Sequence, residues 1–141
     1  MAESKHGKYI IKAPMETSSK HPNLPPSVSF RENKPWSDWR DIKYSMGYRC
    51  ITEPMVLATE PHEHDFEQFL FFLGGNPMDI EDLGAEVEIT LGREGEKHII
   101  NTATILRIPP GLYHGPFNFK RIDKPMVFMN VFLAPEYIRK A

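Results

Sequence analysis

The sequence is short of several things, and each shortage closes a class of explanation. Its 141 residues include one cysteine, Cys50. Neither an intrachain disulfide framework nor a zinc-thiolate cluster can be built, so a reducing compartment is the default. No run approaches the roughly 18 apolar residues of a membrane span. The opening MAESKHGKYI lacks the apolar core of a signal peptide, so the expectation is a cytoplasmic protein with no membrane partner. An excess of either charge is missing too: 17 basic side chains face 19 acidic ones, for a formal net charge of -2. With the signs interspersed there is no field to gather nucleic acid, and a small molecule is the expected partner. Convincing helical periodicity is scarce as well.

What is present divides at about residue 35. Residues 1–35 carry Pro14, Pro22, Pro25, Pro26 and Pro35 among Ser, Lys and Asn. They read as an N-terminal arm, extended or flexible, ahead of one domain over residues 36–141, a length sufficient for a single core. In KPWSDWRDIKYSMGYRC two readings stay open. Ser37 caps a helical turn carrying Trp39, Ile42 and Lys43, or the chain enters a strand at Tyr44. After Pro54 the pattern is β. MVLATEPHEHDFEQFLFFL, AEVEITLG, KHIINTATILRI and MVFMNVFLA read as strands, with GREGE and PPGLYHG as turns. Short strands between turn signals imply an all-β sandwich or barrel. The stretch GGNPMDIEDLGAE reads as a solvated loop or helical turn, or as a flap over a barrel mouth.

The pair His62-x-His64 opens the most apolar of these strands. If 62–72 is one strand, period two puts His62, His64, Phe66, Gln68, Leu70 and Phe72 on one face, and Glu63, Asp65, Glu67, Phe69 and Phe71 on the other. His114 follows the PPG turn at the mouth of another strand. Three imidazoles and an amide oxygen converging in an apolar cavity suit a divalent transition metal, where a lone buried histidine would read as a hydrogen-bonded core residue. The helical H-E-x-x-H alternative fails because position 66 is Phe66. A (β/α)8 barrel, the other home of H-x-H, needs around 250 residues.

The spacing of the whole set carries a family resemblance. His62-x-His64-x-x-x-Gln68, then six residues and Gly75, resembles the first cupin motif. Pro109-x-Gly111-x-x-His114-x-x-x-Asn118 resembles the second from its proline onward. Val56 and Ala103 stand where each motif opens with glycine, and Gln68 replaces the usual glutamate. The resemblance implies a single cupin barrel, a double-stranded β-helix or jelly roll, following a Pro-rich arm. It implies one divalent ion (Fe, Mn, Ni, Co or Zn) held by His62, His64, Gln68 and His114. With four neutral ligands the ion keeps its full charge as a Lewis acid, which suits lyase, isomerase or dioxygenase chemistry on a small polar or anionic metabolite. The alternative is a non-catalytic binding or sensor cupin. Tyr113 and Glu86 are the candidates for acid or base; Tyr44, Tyr48 and Arg107 are no better placed. Phe69 and Phe71, on the face away from the histidines, need a cover, from residues 1–40 or from a second subunit, and a homodimer is the expectation.

Overall fold

Alternation writes the longest strand. In DLGAEVEITL the side chains of Leu83, Ala85, Val87 and Ile89 are buried while Gly84, Glu86 and Glu88 are half-exposed. The outward Glu88 is held between Lys120 at 2.8 Å and Lys97 at 3.8 Å on the strands to either side. The computed structural model describes residues 4–17, 22–31, 39 and 42–141. Ser37, the expected cap of a helical turn, lies outside them.

Among the described residues ten strands are formed: β1 (Met15–Glu16), β2 (Ser27–Arg31), β3 (Ser45–Ile51), β4 (Met55–Leu57), β5 (Gln68–Gly74), β6 (Asp82–Leu91), β7 (Glu96–Thr102), β8 (Thr104–Ile108), β9 (His114–Ile122) and β10 (Met126–Phe132). Their order is β1-β2-β3-β10-β5-β8 in one sheet and β4-β9-β6-β7 in the other. Every pairing is antiparallel. From β3 onward the chain passes back and forth between the sheets to make an eight-stranded jelly roll. The segment read as an arm supplies β1 and β2, which extend the larger sheet beyond β3.

The core lies between the sheets. Phe72 of β5 and Phe119 of β9 have no exposed surface and meet with ring centroids 6.1 Å apart. Each such ring contributes about 1.5–3 kcal/mol by leaving water. Where β5 runs against β6, Gly74 is required, because an added Cβ would collide with the Asp82 carbonyl.

Two expected strands differ from those observed. The 62–72 strand begins only at Gln68, because residues 58–67 leave the ladder to pair elsewhere. KHIINTATILRI is not one strand: it breaks at Ala103, where the chain crosses from the smaller sheet into the larger. Its apolar pattern runs on across the break, so periodicity alone does not reveal it. The 75–81 stretch is a turn whose Asn76 caps the Met78 N–H.

Candidate metal centre

Leaving the sheet lets His62 and His64 meet the turn that ends in His114. The backbones of His62 and His114 exchange both hydrogen bonds, at 2.8 and 3.0 Å, and Gly111 N–H donates to the His64 carbonyl at 2.9 Å. Gly111 has φ +82, which the PPG turn needs to reverse and which a residue with a side chain rarely adopts. The three rings come within 4.5 to 5.0 Å, centroid to centroid. One nitrogen from each falls within 4.8 Å of the others, and all three residues are buried, so the group is a site for one metal ion.

Backbone carbonyls fix the tautomers. The Nδ1 atoms of His62, His64 and His114 lie 2.9, 2.6 and 2.8 Å from the carbonyls of Glu60, Ile138 and Leu112. A carbonyl only accepts, so each Nδ1 carries the proton and each Nε2 is left with its lone pair. Burial favours the neutral ring at His114 and His64. It pushes His114 down to about 4, against the Leu112 carbonyl and with help from the neighbouring imidazoles and Arg139. His64 is lowered for the same first reason, burial, with the Ile138 carbonyl opposing.

Gln68 lines the same cavity as His62 and His114. Its side-chain nitrogen donates to Asn130 Oδ1 at 2.9 Å, which leaves Oε1 as a buried acceptor with no hydrogen-bond partner. His64 Nε2 is a second such atom. A buried acceptor without a donor is costly in an apo protein and ordinary in a ligand set. The donor set of neutral imidazoles and an amide oxygen therefore fits a divalent transition metal. Glu67 turns outward, as period two requires, and clasps Arg107 on the surface.

His62, Gln68 and His114 open onto a cavity of about 440 Å³. Arg31, Arg49, Arg139, Asn130 and Tyr137 line it, with no Asp or Glu among its described lining residues. Residues 133–140 fold back across the site. Leu133 donates to the Glu67 carbonyl, Glu63 and Lys140 exchange two 2.7 Å bonds, and the Tyr137 hydroxyl sits 3.2 Å from His62 Nε2. With that nitrogen unprotonated, the phenol is the donor. Burial raises the Tyr137 pKa, against the nearby Arg139, and keeps the hydroxyl protonated.

Tyr113 is half-buried under the Arg93 guanidinium, 4.2 Å from its ring centroid, and Glu86 faces Arg121 at 3.8 Å. Neither lines the cavity, nor does Arg107, Tyr44 or any residue of the 75–86 stretch; Tyr48 borders it from β3, between Gly47 and Arg49, with its side chain on the outer face of the sheet. Sequence reasoning missed Asn130, Tyr137 and the three arginines. Asn130 is the one polar residue in MVFMNVFLA, and Ser27-Val28-Ser29-Phe30-Arg31 alternates with period two behind its prolines. Nothing local marks Tyr137 or Arg139.

A scan against protein-family models finds no match, and a search of curated proteins finds none either. Solved structures do match. An oxalate oxidase superposes with a TM-score of 0.62 at 13% identity, over 99% of this chain and 66% of that one. Oxalate oxidase in complex with the substrate analogue glycolate gives 0.60 at 14% identity, over 96% and 64%. Bacillus subtilis oxalate decarboxylase, studied for its Mn(II) centres, gives 0.50 at 12% identity, over 82% and 26%. The chain thus spans just under two thirds of the oxidase and about a quarter of the decarboxylase. Strand order, the paired motif segments and these superpositions agree that the chain has the cupin fold, built around a buried three-histidine site.

Proposed function

We propose that the chain is a mononuclear metal-dependent enzyme acting on a small anionic metabolite, with His62, His64, Gln68 and His114 as ligands. The observation that carries this reading is the run of lone pairs, three imidazole and one amide, beside a cavity with three arginines and no carboxylate among its described lining residues. A bound divalent ion would supply Lewis-acid polarisation of a substrate carboxylate or carbonyl. The chain's own residues do the rest. The carbonyls of Glu60, Leu112 and Ile138 hold the rings in one tautomer and orientation, the role of outer-shell partners in metal sites. Asn130 fixes the Gln68 amide, the arginines attract the anion, and Tyr137 presents an O–H donor beside the histidines.

Manganese is the first ion to test, with iron, nickel, cobalt and zinc after it. Among the matching structures are enzymes named for oxalate, which agrees with a small anionic substrate. Mass spectrometry of the purified chain should give one transition ion per chain, lost in His114→Ala. Oxygen uptake with candidate carboxylates then separates dioxygenase from lyase or isomerase chemistry. Full metal content in His114→Ala would refute the site.

A cytoplasmic homodimer belongs to the same proposal. On the outer face of the larger sheet, Ile105, Phe71, Met129, Tyr48 and Val28 form one cross-strand row. Ile105 is 66% and Tyr48 41% exposed, more apolar surface than a sheet facing water carries comfortably. Sedimentation at micromolar concentration should give twice the chain mass.

A further inference from the structure

The register of the larger sheet sets two ends of the cavity apart. Arg31 lies opposite Ser45, Ser45 opposite Phe132, and Phe132 opposite Gln68. These four form one row with their side chains on the same face, so Arg31 and Gln68 look into the same space from strands β2 and β5. Three strand spacings separate them, about 14 Å of backbone. The next row toward the far end is Ser29, Gly47, Asn130 and Leu70. Its residues on β2 and β3, Ser29 and Gly47, are small and line the cavity.

The far end is built for negative charge. Arg49 donates to the Ser27 hydroxyl at 3.5 Å, and Ser27 and Ser29 are both buried. Burial works against the Arg49 charge, Glu16 supports it and the neighbouring Arg31 opposes it. Among the described residues one carboxylate, Glu16, stands near them, 3.9 Å from Arg31. These two guanidinium groups outnumber that carboxylate at the cavity wall, where an anion with several acceptor oxygens fits the guanidinium fork.

We propose that the substrate carries two anionic groups, the first bound at the histidine centre and the second, a carboxylate or phosphate, held by Arg49 and Arg31 with the serines of β2. The first half rests on the metal-enzyme reading above; the second rests on the arginines alone. The distance between the two ends selects a dianion longer than oxalate, with a chain lying over Gly47 and Asn130. The far end thereby measures substrate length.

Titration calorimetry on the full metal-loaded chain tests this with butyrate, glutarate and 3-phosphonopropionate. Both dianions should bind about tenfold or more tighter than butyrate, the scale of a charge-assisted hydrogen bond. Glutarate the tighter of the two identifies a carboxylate at the far end, and 3-phosphonopropionate a phosphate. Arg49→Gln and Arg31→Gln should each bring the dianions down toward butyrate, with thermal unfolding confirming that both variants fold. A dianion-to-butyrate ratio near one, or a ratio that neither substitution moves, overturns the inference. Methylphosphonate titrated into metal-free protein separates the two readings. If metal analysis finds no histidine-bound ion while methylphosphonate binding still depends on Arg49, the metal reading falls and the arginine subsite stands. If the ion is present and the ratio does not respond, the subsite alone falls.

Discussion

His114 should make the metal-free protein acid-sensitive in a window where carboxylates are silent. The side chain is 1% exposed, and burial pushes its pKa down to about 4 from an ordinary value of 6.5. With the folded value below the unfolded one, the unfolded chain takes up the proton first as pH falls. Stability is therefore intact above 6.5 and drains between 6.5 and about 4. At 1.36 kcal/mol per pH unit the full loss is about 3 kcal/mol, of which about 1.5 kcal/mol falls between pH 6.5 and 5. His64, lowered for the same first reason, adds a loss of the same sign. Urea unfolding of the wild type and His114→Gln, both with chelator, isolates the His114 share. The stability difference between them should shrink by about 1.5 kcal/mol from pH 6.5 to 5. Parallel profiles across that window would mean that His114 is not held neutral by burial, and the tautomer argument at this ring would go with it.

The same depressed values change when metal should leave: at limiting total metal and full equilibration, the chain should keep its ion at pH 6 and lose it as pH approaches about 4. Gln68→Ala should weaken metal binding about tenfold or more, Gln68→Glu should retain it, and Glu67→Ala, which frees only the surface Arg107, should leave metal content unchanged. Metal titration of Tyr137→Phe should show binding about fivefold tighter, since an ion no longer has to displace a hydroxyl hydrogen bond of about 1 kcal/mol from His62 Nε2. Phe72→Ala should cost about 3–5 kcal/mol in urea unfolding, as for a large aromatic deleted from a packed core.

Period two carried the sequence reading a long way. It puts His62, His64 and Gln68 on the buried side and Glu67 on the surface, because inward and outward alternation persists even where the ladder is broken. What it cannot carry is any pairing between segments far apart in the chain. The crossing at Ala103 leaves no mark in an apolar pattern that suits either sheet. The prolines before Ser27 suggest an arm, yet β2 needs its amides only from Ser27 onward, after the last proline. Tyr137 and Arg139 reach the site because residues 133–140 return along Glu63 and Glu67, a tertiary event with no local signature.

All three ring locks are main-chain oxygens, and that makes the centre indifferent to the identity of the residues supplying them. Positions 60, 112 and 138 present a carbonyl whatever side chain they carry. Substitution there is silent to the imidazoles, whereas inserting or deleting one residue between 134 and 138 would slide the Ile138 oxygen off His64 and let that ring turn. A lineage, or an engineer, can thus rewrite the cavity's side chains for a new ligand while leaving the centre standing, provided the loop lengths are kept. Indels, more than point changes, are the fragile edits in this molecule.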